Sequence, residues 1–274
     1  MTKYLAMNLE TDLDIEAYCG RIRLDVPEEA TLETLKNLQA AHLNHIPFEN
    51  IDVVLRRGIK LDLDSLQTKL VGSGRGGYCF EHNTLFAAVL RQLGFEVDTL
   101  EARVRPPGTS EILPRTHMVL KVVADGTPWL ADVGFGGDGP LRPVPFGGEI
   151  DEAAAEAFRL AEERGRIQVL QRLWHGQWSD LYAFSLAPAY PVDYVVANHF
   201  TSTYPTSVFL KRLTVQRFED EHRHILRNLT YTVRTGADED VREVERDEVP
   251  QLIRSVFGLP LTDHEILQAL DQNA

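Results

Sequence analysis

The sequence predicts an α+β protein in three sections, and three observations carry that reading. Apolar residues in the first third recur at helical spacing. The middle third breaks into short β-rich runs between turn residues, and the last third mixes such runs with a terminal helical pattern. The expected divisions are residues 1–95, 96–198 and 199–274. A chain of 274 residues, 43% apolar and 25% charged, can bury a sizeable core and has the composition of an ordinary globular protein.

In the first section, "DLDIEAYCGRIRL" places Leu13, Ile15, Tyr18 and Ile22 at helix-like spacings, and "TLETLKNLQAAHLNHI" does the same with Leu32, Leu35, Leu38 and Leu43. A third helix is expected from about Cys79 to Leu93, ending at Gly94, so the section reads as a small helical bundle. From about Val97 the runs "HMVLKVV", "PWLADVGF", "RIQVLQRL" and "LYAFSL" suggest an antiparallel sheet or barrel. From near His199, "FLKRLTVQRF", "HRHILRN" and "LTYTVRT" read as strands, and "VPQLIRSVFG" and "TDHEILQALDQ" as helices. The acidic run "ADEDVREVERDE" reads as a solvated loop and strand without chemistry.

A net charge of -13 and a pI near 5.1 repel polyanions, which argues against nucleic acid and anionic membranes as partners. The first twenty residues carry Glu10, Asp12, Asp14 and Glu16 and no long apolar stretch, unlike a secretory leader. No window reaches the roughly 18 apolar residues of a membrane span. A cytoplasmic location is therefore expected, where Cys19 and Cys79 stay free thiols, and their number and spacing suggest no metal site.

The stretch "RGGYCFEHN" sets Cys79 just after a glycine pair and at the first turn of the expected third helix. Gly76 and Gly77 allow a tight turn, and unpaired N–H groups at a helix start favour an anion. Arg75 either adds positive charge or braces the loop through a carboxylate. A buried cysteine that only fills space is the competing reading. A nucleophilic one needs a base, because a free thiol is only about 3% ionised at neutral pH.

Of nine histidines, His82 is near Cys79 in sequence but points elsewhere on its helix, whereas His117 opens the run "THMVLKVV". If Asp125 and Gly126 form a two-residue hairpin turn, Ala124 faces Thr127 and Asp132 opposes Val119. His117 and Asp132 then become diagonal neighbours on one face, within side-chain reach. A one-residue slip would separate them. A carboxylate inside "WLADVGF" is costly to bury without compensation. Opposite His117 it would orient the imidazole, which completes a Cys79, His117 and Asp132 triad.

At these residues the chain resembles the arylamine N-acetyltransferase family, through "IPFENIDV", "GRGGYCFEHN", "THMVLKV", "WLADVGFGG" and "TSTYPTSVF" in that order. The resemblance implies a helical bundle, a central antiparallel β-barrel-like domain and a C-terminal α/β lid, with a cysteine-protease-like core. It implies the same triad, and acetyl transfer from acetyl-CoA to arylamines, hydrazines or arylhydroxylamines by a ping-pong route through an acetyl-cysteine. Acetyl-CoA is then a co-substrate, with no tightly bound cofactor, and the acceptor is a small arylamine or hydrazine.

The resemblance also sets Phe48, Phe135 and Phe209 around the acceptor pocket, where ordinary core packing is the other reading. It sets Gly136, Gly137 and Gly139 of "GGDGP" beside the coenzyme entrance, where backbone amides would meet pyrophosphate. Backbone N–H groups near Cys79 and Thr116 are candidate oxyanion donors. A cysteine hydrolase and an amide synthase use the same triad and are the rival enzymes, and a binding protein that has lost its chemistry is the rival of another class. A homo-oligomer is left open.

Overall fold

The structure, a computed structural model, describes residues 13–109, 111–147, 156–220 and 222–272. Residues 1–12, part of the stretch read against a leader, lie outside the described residues. The chain begins with helices α1 (Ile15–Ile22) and α2 (Leu32–His45). Asp14 caps α1 by accepting from the Ala17 amide, and Thr31 caps α2 by accepting from Thr34, each satisfying an orphan donor of the first turn. After the two-residue strand β1 (Phe48–Glu49) come the short helices α3 (Ile51–Val54) and α4 (Leu63–Leu66), then a π-helical turn over Gln67–Gly72. Helix α5 (Cys79–Gln92) follows, and Gly94 adopts φ +91 just past its end, as expected of a helix stop.

Strands β2 (Glu96–Val104), β3 (His117–Ala124), β4 (Thr127–Ala131), β5 (Val144–Pro145), β6 (Phe158–Glu163), β7 (Ile167–Trp174) and β8 (Gln177–Phe184) form a seven-stranded sheet. Its order is β5-β4-β3-β2-β8-β7-β6, antiparallel at every step, and its edge strands β5 and β6 approach each other so that the sheet is nearly a closed barrel. Helices α6 (Pro191–Thr203) and α7 (Val208–Lys211) lead to strands β9 (Thr214–Glu219), β10 (His222–Arg227), β11 (Thr230–Thr235) and β12 (Asp238–Glu243). These pair in sequence behind β1, and helices α8 (Val249–Ser255) and α9 (Asp263–Asp271) close the chain. Among the described residues no helix is long and apolar enough to cross a membrane.

The α+β class agrees with the sequence reading. Two elements differ from it. Phe209–Lys211 belongs to helix α7, so the strand expected over "FLKRLTVQRF" starts only at Thr214. Helix α6 runs through the expected division at 198/199 and was not anticipated. Its valines lie on the outer face, so apolar residues surround the helix and blur the single-face period, and β-branched residues read locally as strand. Pro191 at the first turn was the available start signal.

Strand β3 is the hinge of the architecture because both its faces are buried. Met118, Leu120, Val122 and Ala124 face the helical core that also holds Phe80, Leu85 and Phe86 of α5. Val119, on the opposite face, joins Leu100, Leu170 and Tyr182 inside the barrel. By the two-residue alternation of a strand, His117 shares the face of Val119. A second core under β9 to β11 packs Val215 and Leu226 against Ile253, Phe257 and Ile266. Strand β12 is exposed along its whole length, as its acidic composition suggested.

Candidate active site

The turn between β3 and β4 has the two-residue form on which the register argument depended. Asp125 and Gly126 take φ 49 and 73, Ala124 pairs with Thr127, and Leu120 pairs with Ala131. Asp132 leaves the strand one residue later and meets His117, whose Nε2 lies 2.7 Å from Oδ2. Both side chains are buried. Because the carboxylate only accepts, Nε2 carries the proton in this bond.

Asp132 accepts three further hydrogen bonds. Tyr182 Oη donates to Oδ2 at 2.9 Å, while Asn83 Nδ2 and the Gly134 amide donate to Oδ1 at 2.9 and 2.8 Å. Burial alone would raise the pKa of this carboxylate; the neighbouring His117 and these donors outweigh burial and leave it below its ordinary value. Asn83 also donates to the Met118 carbonyl and accepts from Val133, so one amide ties α5 to β3 and to the segment after β4. Gly134 is required for this approach, since a Cβ there would lie 2.7 Å from the Cys79 Cα.

Cys79 is the first residue of α5, and its side chain is buried. Its thiol donates to the Thr116 carbonyl at 3.6 Å, and the amides of Phe80 and Met118 reach the sulfur. The sulfur therefore sits against the backbone on both sides of His117. At Thr116 it is the carbonyl that engages the sulfur, so the N–H groups found beside it belong to Phe80 and Met118. Burial, then the charge on Asp132, pushes the Cys79 thiol up from its ordinary pKa, against the pull of those amides. A lone thiolate is disfavoured here, so the helix start does not by itself ionise the sulfur.

Arg75 takes the bracing role. Its guanidinium donates to Glu49 Oε1 at 2.5 and 3.0 Å and lies 3.2 Å from Asp52. Lys69 bridges Asp52 and Glu81 at 2.8 Å each, and Glu81 returns its other oxygen to the Tyr78 amide at the start of α5. This network locks the β1 segment "PFEN" to the turn before Cys79. Gly76 permits the fit, because a Cβ at that position would stand 1.9 Å from the Pro47 carbonyl oxygen.

His82 does point away from Cys79. It ends a buried chain in which Tyr18 Oη contacts His42 Nδ1 at 2.8 Å, His42 Nε2 contacts His82 Nδ1 at 2.8 Å, and His82 Nε2 contacts the Pro47 carbonyl at 3.3 Å. The carbonyl can only accept, so His82 donates from Nε2; with both rings neutral, His42 then donates to His82 and Tyr18 donates to His42. Burial is what keeps both imidazoles neutral in this chain. Burial accordingly pushes His82 down to about 4 and His42 well below its ordinary value.

The sign of the pH effect follows. Above the unfolded value near 6.5 the neutral chain contributes fully; as pH falls toward 4 the unfolded state takes up the proton that the folded state excludes. For His82 alone the loss is on the order of 3 kcal/mol. Urea unfolding at pH 7.5 and 4.5 should show wild type losing more stability on acidification than His82→Gln. Equal losses in the two proteins would contradict the assignment.

The expected acceptor-pocket aromatics fall into two groups. Phe48 and Phe209 approach to 6.1 Å between ring centroids, with Tyr78 5.7 Å from Phe209, whereas Phe135 packs on His117 at 5.2 Å and on Tyr182 at 5.0 Å. Phe48 is buried, and Phe135 and Phe209 are half-buried.

The glycines expected beside the coenzyme are buried and their amides partly engaged: Gly137 donates to Gln216 Oε1, and Gly139 donates to the Gly136 carbonyl at 3.0 Å. Asp138 between them pairs with Arg172, Arg227 and Arg234. The sequence reading missed Asn83, Tyr182 and these arginines. Asn83 alone left a signal, lying four residues after Cys79 and hence on the same helix face.

A family model described as N-acetyltransferase matches residues 31–266. Among curated proteins the chain is 37% identical over 254 residues to an arylamine N-acetyltransferase / N-hydroxyarylamine O-acetyltransferase of Salmonella typhimurium, covering 91% of this chain and 90% of that protein. It is also 37% identical over 258 residues to an arylamine N-acetyltransferase of Mycolicibacterium smegmatis, covering 92% and 94%. Among solved structures, the arylamine N-acetyltransferase of Mycobacterium marinum in complex with CoA superposes with a TM-score of 0.88 at 33% identity, covering 95% of this chain and 100% of that one.

Proposed function

From the premise that this chain belongs to the arylamine N-acetyltransferase family and is an acyltransferase, we propose that it moves an acetyl group from acetyl-CoA to arylamines, hydrazines or arylhydroxylamines, by way of an acetyl-cysteine on Cys79. CoA is bound by the related M. marinum protein, which supports acetyl-CoA as the donor. The observation that carries the residue assignment is the 2.7 Å bond of His117 to Asp132, beside a Cys79 sulfur held between the backbone groups of residues 116 and 118.

With Nε2 committed to Asp132, the other ring nitrogen, Nδ1, takes the thiol proton. Charge on Asp132 opposes a lone thiolate but favours the imidazolium, so the sulfur ionises by handing its proton to His117 and not by loss to solvent. The thiolate attacks the acetyl carbonyl, the carbon–sulfur bond to coenzyme A breaks, and the departing thiolate takes the proton back from His117. In the second step the acceptor amine attacks the acetyl-cysteine, its proton passes to His117 and the Cys79 sulfur leaves. General-base help of this kind is typically worth 10²- to 10⁴-fold. The Phe80 and Met118 amides, which reach the sulfur, are the proposed donors to the developing oxyanion.

Intact-protein mass spectrometry after brief exposure to acetyl-CoA should show one added acetyl group, lost again when an arylamine is supplied, with the peptide containing Cys79 carrying the label. An unlabelled protein that nonetheless cleaves peptides would support the hydrolase instead. One that accepts only carrier-bound acyl chains would support the amide synthase.

A further inference from the structure

One buried group of titratable side chains stands outside the proposed acyl transfer. Tyr18 of α1, His42 of α2 and His82 of α5 form a chain of hydrogen bonds that ends on the Pro47 carbonyl. All three are buried, and His42 packs on Phe86 of the apolar core at 5.5 Å between ring centroids. Apolar side chains would fill the same space without desolvating a hydroxyl and two imidazoles. What a polar chain adds is direction, because each ring has to face both its donor and its acceptor.

The chain ends at Phe48. The carbonyl that accepts from His82 belongs to the peptide joining Pro47 to Phe48, so this bond fixes the plane from which the Phe48 backbone leaves. One residue further on, the Glu49 amide donates to the Gly77 carbonyl at 2.7 Å. The peptide units on both sides of Phe48 are thus tied to α5 and to the turn before it. The His82 imidazole also lies parallel to the Phe48 ring, with 4° between the planes and 6.3 Å between centroids, and Phe209 meets the same ring at 6.1 Å. His82 follows Cys79 by about one turn of α5. A single helix therefore carries both the sulfur and the group that holds Phe48, and sets the distance between them.

We propose that His82 is a positioning residue for acceptor choice: oriented by His42 and Tyr18, it holds Phe48 where the aryl ring of an acceptor packs. This rests on the acetyl-transfer reading, in which Phe48 borders the acceptor. A fixed aromatic wall favours an acceptor that carries a ring over one with the same nucleophile and no ring, by roughly three- to tenfold for a contact of this kind.

The test compares phenylhydrazine with methylhydrazine in the full chain, since the two share a nucleophile and differ in the ring. His82→Leu keeps an apolar side chain in place and removes both hydrogen bonds. It should lower kcat/KM for phenylhydrazine by roughly three- to tenfold and leave that for methylhydrazine within about twofold. Acetylation of Cys79 by acetyl-CoA, followed by mass spectrometry before any acceptor is added, should be equally unaffected. His82→Gln, whose amide can donate to Pro47 and accept from His42, should retain the wild-type preference. Tyr18→Phe removes only the first donor of the chain and should shift the preference in the same direction as His82→Leu, which keeps the test open where the leucine variant does not fold. Equal losses with both hydrazines, a loss confined to the acetyl-CoA step, or an unchanged preference in His82→Leu and Tyr18→Phe overturns the proposal. So does a His82→Gln enzyme as impaired as His82→Leu. A wild-type chain that acetyl-CoA fails to acetylate removes the acetyl-transfer reading itself, a result told apart because that step is measured first.

Discussion

Asp132→Asn is expected to lower acetyl transfer by roughly 10²- to 10⁴-fold while the chain remains folded. The carboxylate accepts four hydrogen bonds, two at each oxygen. An amide keeps one oxygen and turns a donor toward the other pair of donors. If its nitrogen faces His117, Nε2 must become an acceptor, the ring proton moves to Nδ1, and the imidazole can no longer take the proton from Cys79. If its nitrogen faces Asn83 and Gly134, those two donors are stranded and the tie between α5 and β3 weakens. In either case the imidazolium loses its counter-charge. Turnover measured from pH 6 to 9, with thermal melts as control, checks this. Tyr182→Phe removes one of the four donors and should cost about tenfold, because it leaves the charge and the tautomer in place. Wild-type turnover in Asp132→Asn would remove the carboxylate from the mechanism.

Cys79→Ala should abolish turnover, with a loss of roughly four orders of magnitude or more, and should give no acetylated protein. The side chain is buried and small, so the cavity left by the sulfur costs about 1–2 kcal/mol of stability and the fold persists. Circular dichroism and melting of the variant separate lost chemistry from lost structure. A folded Cys79→Ala protein that still acetylates an arylamine would place the nucleophile elsewhere.

The proximity of His117 and Asp132 was legible because it depends on a count: an even-length turn at Asp125–Gly126 determines which side chains share a face, and the structure has that turn. Helices α1, α2 and α5 were legible through one-sided apolar spacing and caps. The donors around Asp132 were not, because Asn83 and Tyr182 lie 49 and 50 residues from it in sequence and meet it only once helix and barrel pack. Arg75 illustrates a different limit. Its charge was visible, but the choice between exciting the sulfur and bracing the loop depended on Glu49 and Asp52, delivered by a strand of two residues. The raised pKa of the Cys79 thiol was illegible for a related reason, since it reflects how deeply the packed core surrounds the first turn of α5.

Because β3 is sandwiched between the helical core and the barrel interior, Cys79, His117 and Asp132 come together only when the two halves close on each other. During synthesis Cys79 leaves the ribosome dozens of residues before His117 and Asp132, and until they arrive it lacks the neighbours that the proposed mechanism requires. On the proposed mechanism, a nascent polypeptide then carries no assembled nucleophile, and acetyl transfer would itself report that folding has finished.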